Sequence, residues 1–565
     1  MKVIRDSVHG DIELSAEEMR IVHTPSFQRL NGCKQLGLSY LVYPAAKHTR
    51  FEHVLGVMEL ATRIAQRLED HFPPGTADGN ERRKILRFAA LLHDIGHVPF
   101  GHTLEDEMPS IPEHDAPSDG TGKSRMDALV SEVLADSGNS DYIDLVVQVL
   151  LAIRKSKNDR DLYPLVEAGK IRQDLLVLAD IIGNTICADL FDYIKRDHMM
   201  TGIRATYDDR IFRYFAVGQH EFQGKHYTRL LIRLVKNGRI RGDCLADLLD
   251  ILKLRYNLSD KVLFHPKKCA ADAMLIKAVA ELNLGEKDLL KYSDDGLLDT
   301  FWQQNTLLKM LRSGVLFKPV FVSRLEHVHC YNEEHERDGL IEQLRTKPEL
   351  RTRVEKRIEK ELGLPADKTS VLIFCPAPDM TLKPVRVLVQ WKSGTIRRLN
   401  DINERDDAVT AKQVSILQQI YPDLWKLYLF VLPELRSRGD RIKEKFREIL
   451  KEEAHLNATC DPAFENYLET GCINYATGQR LDQQLYATPA YNVLPREGKV
   501  AVWGKCHAKL PFDAYDEDYA DADLKTIASR LELSAISQQL QVIIDAVLQG
   551  DASAAKGEQP RLALH

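Results

Sequence analysis

Three histidines and an aspartate fall within the twelve residues of LLHDIGHVPFGH, Leu91–His102, among leucine, isoleucine, valine and phenylalanine. A His–Asp pair in apolar surroundings is unfavourable unless both side chains find partners. A divalent cation satisfies both, because it binds neutral imidazole and ionised carboxylate, the forms these groups take near pH 7. Neighbours on a helix point about 100° apart, so His93 and Asp94 can only border a shared site, and the other ligands must come from elsewhere. Two segments offer them. In HTRFEHVLGV, His53 opens an apolar helix, and Arg50, three residues earlier, could face a phosphate. In ADLFDYIKRD, Asp189, Tyr193 and Asp197 recur at every fourth position of one helix face, flanked by Asp192 and Arg196. Each residue alone also has an ordinary reading. Buried histidines are more commonly hydrogen-bonded than metal-bound, and the aspartates could line a solvated, salt-bridged face. Spacing does not choose among Asp189, Asp192 and Asp197, nor does it exclude Asp180.

The elements that must position these residues are mostly helical by pattern. Apolar residues recur at helical spacing over Val54–Asp70, which ends before the breaker HFPPGTADGN, and over Glu81–His97, which stops near Pro99. The segment EMPSIPEHDAPSDGTGKS reads as a loop, and further helices fit Asp127–Asp136, Asp141–Arg154 and Ile171–Asp197. The second half mixes element types. TKPELRTRVEKRIEKELGLP has Pro348 near a helix start, Gly363 past its end, and an apolar stripe of Leu350, Val354, Ile358 and Leu362. SVLIFC reads as a strand, VRVLVQW-KSG-TIRRL as a hairpin turning at Gly394, and GDRIKEKFREILKEE as a charged amphipathic helix. The acidic run Asp513–Asp523 and the tail from Asp551 read as solvated or disordered. The expected fold class is mainly α, with a helical core over 1–320, an α+β region over 321–550 and a disordered tail over 551–565.

A chain of 565 residues exceeds the size of a single core. Its apolar fraction of 44% and charged fraction of 28% are those of an ordinary globular protein. A net charge of −6 gives no global attraction to nucleic acid or to an anionic membrane, leaving only local basic clusters for such contacts. No apolar run is long enough to span a bilayer, and the opening MKVIRDSVHGD lacks the apolar stretch of a signal peptide. The 9 cysteines form no CxxC pair, so reduced thiols and a cytoplasmic location are expected.

Taken in order, HTRFEH, LLHDIGHVPFGH and DLFDYIKRD resemble the HD-domain superfamily of metal-dependent phosphohydrolases. Within it, KVIRDSVHGDIELS, TPSFQRLNGCKQLG and HTRFEHVLGV closely resemble the deoxynucleoside triphosphate (dNTP) triphosphohydrolases, a branch that includes the bacterial dGTPases and the sterile-alpha-motif HD protein of animals. The similarity covers roughly residues 1–275, and this chain carries no sterile-alpha-motif domain. It implies an all-helical catalytic core. It also implies His53, His93, Asp94 and Asp189 as ligands of a divalent metal, Mn, Fe or Mg. The implied reaction is hydrolysis of a dNTP to deoxynucleoside and inorganic triphosphate by attack at the α-phosphorus. His114 resembles the general acid, Glu105 the carboxylate that orients it, and His97 and His102 further pocket residues. Arg50 and Arg255 match phosphate-binding arginines, and Gln35, Leu36, Tyr193 and Asp197 the deoxyribose pocket. The resemblance further implies a homo-oligomer, with Lys2–Leu14 at subunit contacts.

Departures from the family bear on affinity and regulation. Leu190 replaces a lysine that often contacts phosphate there. The animal branch binds an activating guanine nucleotide through the segment matching Lys2–Asn31. His23 stands where that branch has the aspartate that reads guanine, and Asn31 where it has an arginine, while Lys2, Val3 and Gln28 remain. Neutral imidazole offers a single acceptor, so bidentate reading of guanine is lost, and any regulatory nucleotide is expected to be other than GTP. Two further readings compete with the leading one. One is an HD phosphodiesterase or nuclease acting on another nucleotide. The other is a nucleotide-sensing assembly protein, disfavoured by the complete ligand set.

Overall fold

The computed structural model describes residues 1–117, 123–331, 336–365, 368–376, 387–391, 394–402, 404–461 and 464. The chain forms two compact units, Met1–Ala458 and Thr459–His565. The acidic run and the tail singled out in the sequence lie in the second unit, outside the described residues. The first unit is mainly α-helical, and the change of character expected near residue 320 falls inside it.

Three helices frame the site. Arg50–Gln66 packs against both Ala77–Leu92 and Ala188–Thr201. Val54, Met58, Ala61, Leu86, Ala89, Phe191 and Ile194 are fully buried where they meet, and each large apolar side chain so buried contributes about 1.5–3 kcal/mol. The first helix begins a turn earlier than its apolar pattern. Thr49 stands at its N-cap, and Glu52 reaches back to accept from Thr49 N–H at 2.5 Å. His53 therefore sits inside the first turn, where the helix backbone fixes its direction.

Two expected helices are corrected. The helix predicted over Glu81–His97 runs from Ala77 to Leu92, so His93 caps it and Asp94 lies beyond it. Helical continuation would leave the Ile95 carbonyl with only the N-H-less Pro99 as its partner. Instead, Arg29 donates to Ile95 O and His97 O, each at 2.7 Å, and holds the chain in turns. The helix predicted over Ile171–Asp197 is two helices, Leu176–Ile182 and Ala188–Thr201. Gly183 turns extended between them, and the Asn184 side chain accepts from Thr185 N–H at 2.6 Å, replacing a helical bond.

The first half is not all-helical, as the resemblance implied. It opens with an antiparallel hairpin, Lys2–Asp6 with Gly10–Leu14. A second antiparallel pair, Phe215–Phe222 with Lys225–Ile232, is extended by Leu388–Gln390, parallel to the latter, and then by Ile396–Arg398. Val387, Val389 and Trp391 thereby join the same apolar core as Val54 and Phe191. The Leu388–Arg398 hairpin was legible in the sequence, with Gly394 at φ +78°, but its crossing back to the first half was not. A three-stranded sheet, ordered Lys318–Arg324, Lys426–Val431, Val371–Phe374, packs against the helices Pro348–Glu361 and Gly439–Ala454. Among the described residues, no helix is long and apolar enough to cross a membrane.

Candidate active site

His53, His93 and Asp189 bring one side-chain donor each to a common point, and Asp94, His97 and His114 form a second such group beside it. His53 Nε2 lies 3.1 Å from Asp189 Oδ1 and 3.8 Å from Asp94 Oδ2. His93 Nε2 lies 3.5 Å from Asp94 Oδ1 and 3.9 Å from Asp189 Oδ1. The Nε2 atoms of His53, His93 and His97 are buried without a hydrogen bond. Buried imidazole nitrogens facing carboxylate oxygens out of hydrogen-bond alignment fit a divalent cation of the Mn, Fe or Mg kind, for which mixed N/O ligands are suited. The expected ligands thus stand together, with Asp94 between the two groups.

The electrostatics agree. Burial opposes a charge on His53, but contacts with Asp189 and Asp192 outweigh it and raise its pKa to about 10, so a positive charge belongs between these carboxylates. His93 is pushed down by burial and stays neutral, with Nδ1 2.8 Å from Ala90 O. Burial would lift Asp94, yet His93, Arg50 and His97 hold it well below the usual carboxylate range.

Behind this centre lies a layer the sequence reading left unassigned. Asp192 Oδ2 is 2.8 Å from His53 Nδ1, and Asp192 Oδ1 is 2.6 Å from His9 Nε2. Arg196 donates to both Asp192 oxygens at 2.9 Å and to Asp6 at 2.8 Å. The fit requires Gly56, since a Cβ there would overlap the Asp192 carboxylate. The spacing placed Asp192 and Arg196 beside the site, whereas Asp6 and His9 lie in the opening string KVIRDSVHGDIELS, which carried the resemblance but gave them no role.

Glu105 is the hub of the second group. It faces His97 Nδ1 at 2.8 Å and His114 Nδ1 at 3.4 Å, and accepts from Val98 N–H at 3.0 Å and Arg125 at 2.9 Å. Burial works against its charge, but His97 and His114 keep it well below the usual range. His114, despite its loop sequence, is stacked on His97 with ring centres 3.8 Å apart. His102 lies at the rim, its ring 4.9 Å from that of His97 and its side chain exposed.

The remaining site residues lie on the adjoining wall. Arg50 donates to Asp94 Oδ2 at 2.5 Å. Gln35 N–H donates to His48 O at 3.0 Å, and His48 Nε2 contacts Asp197 Oδ1 at 2.7 Å, so Gln35 and Asp197 are linked through His48, another residue the sequence reading missed. Gln35 Oε1 is buried without a hydrogen bond. Leu36 and Tyr193 share one apolar cluster. Burial disfavours the charge of half-buried Arg255, but its neighbours, Tyr193 and Asp189 among them, raise its pKa. Asp180, which spacing alone left open, pairs with Arg229 away from the site, and Lys195 pairs with Asp209. Leu190 is buried in the core rather than turned to a ligand.

Residues 50–197 match the HD domain family. An uncharacterized protein of Methanocaldococcus jannaschii is 33% identical over 325 residues, 56% of this chain and 59% of that protein. The deoxynucleoside triphosphate triphosphohydrolase SAMHD1 of Bos taurus is 34% identical over 230 residues, 38% of each chain. The match therefore takes in less than two thirds of either relative. Among solved structures, a hypothetical protein from Aquifex aeolicus shares the fold at a TM-score of 0.52 and 19% identity, over 78% of this chain and 99% of that one. A phosphohydrolase from Bacteroides thetaiotaomicron does so at 0.51 and 20%, over 76% and 100%. His53, His93, Asp94 and Asp189, gathered at one point, all lie within the segment similar to the HD domain.

Proposed function

We propose that this protein hydrolyses deoxynucleoside triphosphates to deoxynucleoside and inorganic triphosphate. The observation that carries the reading is the wall formed by Gln35, His48, Asp197, Leu36 and Tyr193, set beside the His53–His93–Asp94–Asp189 cluster and Arg50. These last four residues of the cluster would hold the divalent metal. When bound, such an ion supplies a Lewis acid for the α-phosphate and favours ionisation of water. Arg50 and Arg255 bind the triphosphate. Gln35 and Asp197 hydrogen-bond the 3′-hydroxyl, while Tyr193 and Leu36 leave no room at the 2′ position, which rejects ribonucleotides. Water attacks the α-phosphorus and the bond to the 5′-oxygen breaks. His114 turns Nδ1 toward Glu105, which leaves Nε2 to give a proton to that oxygen. His97, held by the same carboxylate, fixes the ring of His114 by stacking, and His102 stands at the pocket rim. Leu190 contributes no phosphate contact. The active form is a homo-oligomer in the cytoplasm, joined partly through the Lys2–Leu14 hairpin.

The test is to incubate metal-loaded protein with each dNTP and each ribonucleotide and to resolve the products by chromatography. Deoxynucleoside plus triphosphate is the expected pair. A nucleoside monophosphate or diphosphate as product would overturn the reading.

A further inference from the structure

Asp294 is completely buried, far in sequence from every residue so far placed at the site, yet its carboxylate joins two of the site's segments. Oδ2 accepts from Lys34 N–H and Oδ1 from Phe100 N–H, each at 2.8 Å. The Lys34 segment is the short pairing that carries the pocket residues. Arg50 N–H donates to Cys33 O at 2.9 Å, Gln35 N–H donates to His48 O, and Lys34 bridges to Thr49. The Phe100 segment is strained. Phe100 has φ +61°, a left-handed conformation unfavourable for a bulky residue, and Gly101 follows at φ +43°. The Arg50 guanidinium lies where a Cβ on Gly101 would be. One carboxylate therefore fixes both the bridged segment that presents Gln35 and the turn on which the Arg50 side chain rests.

The neighbours of Asp294 serve the same grip. Gly32 admits Ser293 at close range, and Asp295 binds Lys34 Nζ at 2.7 Å. Two backbone N–H groups arriving at one side chain call for two acceptors. A carboxylate supplies them, whereas an asparagine would offer one acceptor and set its NH₂ against the other N–H.

We propose that Asp294 is a positioning residue for the bound nucleotide, setting the distance between the triphosphate-binding Arg50 and the sugar-binding Gln35. This rests on the dNTP reading above. Its test is calorimetric titration of the full-length, metal-loaded protein with a dNTP analogue whose scissile 5′-oxygen is replaced by methylene, alongside metal content and steady-state kinetics. Asp294→Asn should weaken analogue binding and raise KM at least about tenfold, as expected for a lost buried hydrogen bond to a fixed backbone group. Metal content should be unchanged and kcat should stay within about threefold. Glu355→Gln is the control, since Glu355 is a buried carboxylate that accepts from Ile373 N–H at 2.9 Å away from the pocket. It should bind the analogue as the wild type does. Asp294→Ser, which places no amide against the second N–H, is the alternative should the asparagine variant not fold, with the same expected loss. Wild-type affinity in the Asp294 variants, or an equal loss in Glu355→Gln, overturns the proposal. A wild-type protein that binds no nucleotide analogue overturns the dNTP reading and this role with it, and that is visible before any variant is made.

Discussion

His53 Nδ1 lies 2.8 Å from Asp192 Oδ2, and this contact settles which face of the imidazole can bind a cation. With Nδ1 turned to that carboxylate, Nε2, the atom nearest Asp189 and Asp94, is the one that would exchange its proton for a cation. Asp192 is kept ionised against its burial by Arg196 and the two histidines. Substituting Asp192→Asn removes the acceptor charge but keeps the shape, and outer partners of this kind are worth about 10–100-fold in metal affinity. Competition with a chelator should show that loss. Asp189→Ala or His93→Ala, which remove a proposed ligand, should abolish hydrolysis while circular dichroism stays native. Wild-type turnover in either at limiting metal would contradict the site.

Glu105 binds both His97 and His114, so the two substitutions His114→Ala and Glu105→Gln probe one arrangement. His114→Ala should lower kcat by about 10²–10⁴, the usual size of a lost general acid, with metal content unchanged. Glu105→Gln should also lower kcat with metal content unchanged, since His114 loses the carboxylate that faces its Nδ1 and orients the ring. A normal rate and profile in His114→Ala would return it to a plain loop residue.

Glu107, two residues on, is buried with Oε2 unpaired, and burial raises its pKa from 4.5 to about 8. The folded protein thus holds a proton that the unfolded chain releases near 4.5. Stability from the neutral form is complete below that value and is lost as pH rises through about 8. Glu107→Gln keeps the shape and removes the titration. Its unfolding midpoint should fall less than that of the wild type between pH 5 and 8, and at pH 8 it should be the more stable by about 1–3 kcal/mol. Parallel pH profiles would contradict this.

His23 and Asn31 are both exposed, and Asn31 donates to Gln28 Oε1 at 3.1 Å. Neither offers the paired acceptors or the positive charge that guanine-nucleotide activation uses in the animal branch. Hydrolysis should therefore proceed without GTP, whether or not another nucleotide adjusts it. Assays with GTP, each dNTP or no addition, with light scattering for subunit number, test this. An absolute GTP requirement removed by His23→Ala would refute it.

The gathering of these side chains was partly legible because they sit in short, dense strings: His93 and Asp94 are adjacent, His53 follows Arg50, and Asp189, Tyr193 and Asp197 keep helical spacing, although spacing alone did not choose Asp189. The supporting layer was not. His9 and His48 lie in strings that carried the resemblance, but nothing local gave them a role, and Arg125 and Asp294 lie outside those strings; only the folded chain brings the four to Asp192, Asp197, Glu105 and Lys34. Helix ends were misjudged for a related reason. Apolar periodicity continues through Ile95, but the helix ends at Leu92, and beyond it the carbonyls of Ile95 and His97 are taken by the distant Arg29. Likewise the strand Leu388–Gln390 was readable, but its partner Lys225–Ile232 lies too far back for any local pattern to reveal.

The central claim is that water attacks the α-phosphorus at the His53–His93–Asp94–Asp189 centre and expels the 5′-oxygen. Hydrolysis of a dNTP in ¹⁸O-enriched water, with both products analysed by mass spectrometry, tests it most directly. One ¹⁸O atom is expected in the inorganic triphosphate and none in the deoxynucleoside. Label in the deoxynucleoside, or its appearance in a nucleoside monophosphate, would contradict it.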